Sequence, residues 1–190
     1  MQVVVMGVTG VGKSTVGERI ADVIGARFVD ADDFHPPANV EKMRAGIPLD
    51  DSDRGPWLSA LNAFLIDAER QKRTIVLACS ALKRAYRDSL RDGIADIRLI
   101  HLRGTRVLIA ERLSARKGHY MNPALLESQL AALETPDDAI DIDIGAAPEA
   151  LAQLACAALK QRTAAASVQT RRMTDASDIN ARADASRKTP

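Results

Sequence analysis

At 190 residues the chain is about the length of a single domain. Its apolar share of 46% suffices for one core, and with aromatics at 3% that core must be filled by Val, Ile, Leu and Ala. With 26 Lys and Arg against 25 Asp and Glu the formal charge is +1, a balance that argues against nucleic acid or an anionic membrane as a partner.

Residues 2–6 (QVVVM) read as a strand; the run is too short for a signal peptide and has no basic leader or cleavage site. A helical pattern follows over 13–24, where Val16, Ile20, Val23 and Ile24 recur at helical spacing. Further strands are expected at 27–30, 74–79, 97–102 and 140–144, with helices near 36–45, 56–71, 83–92, 105–116, 123–134 and 148–161. Such alternation means helical crossovers between parallel strands, hence an α/β fold with a three-layer arrangement of helices on both faces of one sheet. No run approaches 18 apolar residues, so no membrane span is expected. Cys79 and Cys156 lie in apolar stretches without CxxC spacing, and as buried thiols they suit a reducing, cytoplasmic setting. Residues 163–190 hold few large apolar side chains and are expected to form a disordered tail, leaving 1–162 as the folded domain; a weak helix docking on a partner is the alternative.

Directly after the first strand stands Gly7-Val8-Thr9-Gly10-Val11-Gly12-Lys13-Ser14, a match to G-x-x-x-x-G-K-[ST]. Glycines let the backbone turn tightly and aim successive N–H groups at phosphate oxygens, and the helix starting near Lys13 adds its positive dipole end. Lys13 is expected to reach the β- and γ-phosphates of ATP, Ser14 to ligate Mg²⁺, and Thr15 to join the nucleotide contacts. The bland alternative is a glycine-rich turn between a strand and a helix.

A phosphate cradle fixes the donor and leaves the acceptor open. The guanine-specifying Asn-Lys-x-Asp of regulatory GTPases is absent, which leaves the small kinases. The second strand ends in Asp30-Ala31-Asp32-Asp33-Phe34-His35, at the crevice end of an open sheet. Asp32 is the favoured candidate to take the acceptor hydroxyl's proton or to hold Mg²⁺ through water, with Asp30 and Asp33 behind it; loop carboxylates or a helix cap are the alternative. His35 could hydrogen-bond a polyol or stabilise the turn. Ser80 and Lys83 close the third strand, and Lys83, Arg87 and Arg91 share a helix face that suits an anionic acceptor or a solvated surface. The basic run 112–120 fits a lid, placed at about 112–124, or an ordinary basic helix end.

Together, MGVTGVGKST, DADDFHPPANVEKMRAGIPLDDSDRGPWL, CSALKRAYRDSLR, HLRG, RLSARKGHYM and ALLESQLAALETP closely resemble the P-loop gluconokinases over nearly all of residues 1–161. The resemblance implies a nucleoside-kinase-like fold, with a five-stranded parallel sheet in the order 2-3-1-4-5 and a helical lid. It implies ATP-dependent phosphorylation of D-gluconate with Mg²⁺, usually by a homodimer. It also implies Asp32 as the base or hydroxyl-orienting carboxylate, Arg54 as a clamp on the acceptor carboxylate, His35, Lys42, Ser80, Lys83, Arg87 and Gln129 as sugar-acid contacts, and Arg112 and Arg116 as lid arginines. One departure is Asp30-Ala31-Asp32 where the family has Asp-Gly-Asp. A kinase for another small carboxylate such as shikimate is the runner-up, and a nucleotide-binding regulator is the reading from another class.

Overall fold

A computed structural model describes residues 1–115 and 123–163. Its backbone separates into two units, Met1–Cys156 and Ala157–Pro190. In the first, β1 (Gln2–Met6), β2 (Arg27–Asp30), β3 (Ile75–Ala78), β4 (Ile97–Arg103) and β5 (Ile140–Asp143) form one parallel sheet in the order β2-β3-β1-β4-β5. The helices are α1 (Lys13–Ile24), α2 (Pro37–Arg44), α3 (Asp51–Arg70), α4 (Arg84–Arg91), α5 (Arg106–Ser114) and α6 (Pro123–Ala132), with a last helical stretch over 148–156. Of the second unit, residues 157–163 are described and are helical. Among the tail residues only Thr163 therefore falls within the described part, on a helix; 164–190 lie outside it.

β1 owes its central place to an unbroken apolar run: all five residues are buried, with β3 on one side and β4 on the other. Alternate side chains serve opposite faces. Val4 and Met6 join Trp57, Leu58, Leu61 and Leu65 of α3 in one cluster. Val5 faces α1, where Gly17 lies 3.8 Å from it, measured from where a Cβ would stand. This is the sheet covered on both faces that the strand composition implies.

α3 begins five residues earlier than the expected 56. A Pro at the first helical position is favourable, so Pro56 invites that reading. Instead Asp50 and Asp53 form a reciprocal capping box: Asp50 Oδ1 accepts from the Asp53 amide at 2.9 Å and Asp53 Oδ2 from the Asp50 amide at 3.0 Å. Pro56 is carried inside the helix, and Arg54 moves from a loop to the first turn of α3. Between β2 and α2 a short 3₁₀ turn, Ala31–Phe34, is capped by Asp30, whose Oδ1 accepts from the Asp32 amide at 3.1 Å.

Candidate active site

The turn from β1 into α1 is dictated by backbone. Gly7 has φ +139°, and a Cβ there would lie 2.5 Å from the Leu102 carbonyl oxygen of β4. Gly10 has φ +83°, and its Cβ would lie 2.7 Å from the side chain of Leu113 on α5. Only glycine fits either position. Val8 and Val11 are buried beneath the loop, and Lys13 bends back so that Nζ donates to the Val8 carbonyl at 3.1 Å. Ser14 Oγ donates to Asp30 Oδ2 at 2.7 Å. On the outer side Arg112 comes to 3.9 Å from the Cβ position of Gly12 and donates to the Ile144 carbonyl at 2.5 Å. Arg116, with the rest of the expected lid over 116–122, lies outside the described residues.

Asp32 stands at the carboxyl end of β2, close enough to Lys13 for their charges to interact. Its side chain is 84% exposed, yet the protein around the crevice shields its carboxyl from bulk solvent and raises its proton affinity. The like charge of Asp30 adds to this, while Lys13 and His35 oppose it. His35 lies beneath, its Nε2 3.9 Å from Asp32 Oδ1 and its ring stacked on Trp57 with centroids 4.4 Å apart. Trp57 is fixed in turn by a 2.8 Å bond from its indole N–H to the Ala31 carbonyl. Burial, which outweighs the pull of Asp32, holds His35 below its ordinary value, with Arg54 helping.

Beside these stands a cationic cluster. Lys83 Nζ donates to both oxygens of Asp51 at 2.8 and 2.9 Å, and the Tyr86 hydroxyl donates to the same carboxylate. Arg54 donates to the Tyr86 hydroxyl at 3.1 Å and lies over its ring at 5.5 Å. Hydrogen bonds from Lys83, then Tyr86, hold Asp51 below the ordinary carboxylate range. Lys42 is engaged by Asp53 at 2.6 Å, a bond that raises the Lys42 value.

The segment between β3 and α4 is strained and strongly held. Ala81 has φ +44°, a left-handed conformation unfavourable to a residue with a Cβ. Arg87, buried, donates to the carbonyls of Ala81 at 3.2 Å and Leu82 at 2.9 Å. The Glu134 amide donates to the Leu82 carbonyl at 3.0 Å, and Glu134 Oε2 accepts from the Arg84 amide at 2.6 Å. Arg87 therefore shapes the loop that carries Ser80 and Lys83. The Gly7 amide donates to the Ser80 carbonyl at 3.3 Å, tying the glycine-rich loop directly to the segment between β3 and α4.

Charge interactions thus run from Lys13 through Asp32 and His35 to Arg54, while Lys42 and Gln129 have other engagements. Gln129 on α6 accepts from the Thr9 amide at 2.7 Å, so in this structure it faces the phosphate loop. Sequence reasoning missed Asp51, Tyr86, Asn39 and Trp57 as site-building residues. The Asp50-x-x-Asp53 spacing would have revealed the first turn of α3 and, with it, Asp51.

A parallel sheet, a glycine-formed phosphate loop running into a helix, and a carboxylate facing its lysine define a P-loop kinase. A family model described as an AAA domain matches residues 3–136. A gluconokinase of Gluconobacter oxydans is 47% identical over 135 residues, covering 71% of this chain and 76% of its own. The thermosensitive gluconokinase of Escherichia coli is 43% identical over 145 residues, covering 74% and 78%. A crystal structure of a Sinorhizobium meliloti gluconokinase superposes with a TM-score of 0.81 at 40% identity, covering 88% of this chain and 96% of that one. The chain belongs to the gluconokinase family. A shikimate kinase from Aquifex aeolicus, at 16% identity and a TM-score of 0.55, shares the fold alone.

Proposed function

We propose that the chain phosphorylates D-gluconate from ATP, with Asp32 receiving the acceptor hydroxyl's proton. The observation that carries this is the facing of Lys13 and Asp32 across the ends of β1 and β2, inside a chain of the gluconokinase family. In the step, the gluconate 6-oxygen forms a bond to the γ-phosphorus as the bond to the bridging oxygen breaks. ADP leaves, and the hydroxyl proton passes to an Asp32 oxygen.

Ser14, Asp30 and Asp32 offer the hard oxygens that suit Mg²⁺. No cluster of three or more His, Cys, Asp or Glu that could cage a metal occurs among the described residues. Mg²⁺ held by Ser14, and through water by Asp32, would neutralise phosphate charge. Lys13 aims a cation at the transferring group, and the backbone amides of 7–14 bind the phosphates. Arg54 supplies a planar fork for the gluconate carboxylate, with Lys83 beside it. Lys42, Ser80, Arg87 and Gln129 are placed with the acceptor on family resemblance, as Arg112 and Arg116 are with the nucleotide. A homodimer rests on the same resemblance, and the buried thiols Cys79 and Cys156 suit a cytoplasmic setting.

The test is ADP formation with a panel of sugar acids and shikimate, in Mg²⁺ and after chelation. Gluconate should stimulate turnover far above the others and only with the metal; indifference to gluconate would defeat the assignment.

A further inference from the structure

Asn39 is buried on α2; it lies within the segment 30–58 that carries the resemblance, but no role attaches to it there. Its amide group lies 2.9 Å from the backbone carbonyl oxygen of Asp53. A carbonyl only accepts, so the group facing it is the NH₂, and that fixes which way the buried amide points. The same nitrogen lies 3.4 Å from Nδ1 of His35. A donor on that side requires Nδ1 to be bare, and a neutral imidazole with a bare Nδ1 carries its proton on Nε2. Nε2 is the ring atom facing Asp32, 3.9 Å from Oδ1. Stacking on Trp57, at an interplanar angle of 11°, fixes the plane of the ring, and the contact with Asn39 sets which edge faces it. Three elements thus meet on one ring: the 3₁₀ turn that ends at His35, α2 through Asn39, and α3 through Asp53 and Trp57.

We propose that Asn39 is a positioning residue of the acceptor site: it fixes the proton of His35 on Nε2, so that this edge donates a hydrogen bond to an acceptor hydroxyl lying beside Asp32. Two charged groups face the ring. Asp32 draws a second proton toward it and Arg54 repels one, while burial favours the neutral form. A buried N–H donor of this kind selects polyol acids. An analogue lacking the matching hydroxyl leaves the donor without a partner, which costs roughly ten- to hundred-fold in kcat/KM.

The acceptor half of this inference rests on the proposed gluconate reading; the tautomer half does not. Long-range proton–nitrogen correlation spectra of the full chain report which ring nitrogen of His35 is protonated, with a His35→Gln sample identifying its signals against His101 and His119. The wild type should show Nε2–H and a bare Nδ1 at neutral pH; protonation on Nδ1 instead would overturn the proposal without any variant having to fold. Asn39→Asp presents an acceptor at nearly the same size and should move the proton onto Nδ1. Asn39→Ser, which can still donate, should restore part of the wild-type pattern. Wild-type enzyme should discriminate between gluconate and one of its monodeoxy analogues by roughly ten-fold or more. In Asn39→Asp that ratio should collapse toward unity while ATP affinity stays within about two-fold. A folded Asn39→Asp protein with an unmoved proton, or with full discrimination, refutes the role. If gluconate gives no turnover in the wild type, the acceptor half falls with the gluconate reading, and the spectra still decide the tautomer.

Discussion

Lys13 brings a cation from the phosphate loop close enough to Asp32 for their charges to interact. Its replacement by Met keeps most of the stem and removes the charge. Turnover should fall by about 10²–10³-fold, as when one preorganised transition-state donor is deleted, with ADP release as the measurement. A near-normal kcat would rule the mechanism out. Asp32 must be ionised to receive a proton, and its carboxyl sits above the ordinary 3.8 because the crevice shields it and Asp30 adds like charge. The acid limb of kcat/KM should therefore lie above pH 3.8. Asp30→Asn removes the like charge and should shift that limb to lower pH; a limb that stays in place would deny Asp32 the role. At this scale Lys13 and Ser14 are legible because a glycine-determined backbone leaves one arrangement. Which of three nearby carboxylates turns to Ser14 is not. The 3₁₀ turn decides that by using Asp30 Oδ1 as its cap, which leaves Oδ2 for the serine.

α3 shows how one element can be legible in its core and misleading at its start. Leu58, Leu61, Leu65 and Ala68 announce a buried helical face, and Pro56 reads as its first residue. The capping box wins because it satisfies two amides reciprocally, whereas the proline removes only one bond near the helix start. Loss of the Asp50 cap should lower the melting temperature of Asp50→Ala by about 2–4 °C at neutral pH. The Asp50 carboxyl is held below 3.8, first by Ser52 and then by the Asp53 amide. Its contribution is therefore present above 3.8 and lost as pH falls through the lower folded value, so the gap between wild type and variant should close on acidification. A gap that persists at low pH would mean the helix is held by other contacts. The same cap presents Asp51 to Lys83 and Tyr86 and Asp53 to Lys42, so the helix start and this cluster of contacts are set by one local decision.

For the molecule as a whole, parallel pairing brings the carboxyl ends of β1, β2 and β3 to one edge, and with them the loops at 7–14, 30–35 and 80–83. That parallel strands share one carboxyl edge is legible from their alternation with helices, whereas the order that makes β1, β2 and β3 neighbours came from family resemblance. The contacts across it are not, because they join residues far apart in sequence. Gln129 meets the Thr9 amide across 120 positions, and Glu134 meets Arg84 across 50. Among the described residues no helix is long and apolar enough to cross a membrane.

Leu113 rests where a side chain of Gly10 would be, so the residue allowed in the loop is chosen partly by a helix that follows a hundred positions later. Two demands fall on the position: a backbone sign that disfavours L-residues by about 1–2 kcal/mol, and bare volume. They can be separated. Gly10→Ala should weaken ATP binding and lower the melting temperature, and adding Leu113→Ala should recover the part due to volume while leaving the part due to backbone. If the two losses simply add in calorimetry and thermal melts, the helix exerts no hold on the loop. If they compensate, tolerance at position 10 in any protein of this architecture is decided by the size of its overlying neighbour, and a glycine can persist there for reasons unrelated to phosphate.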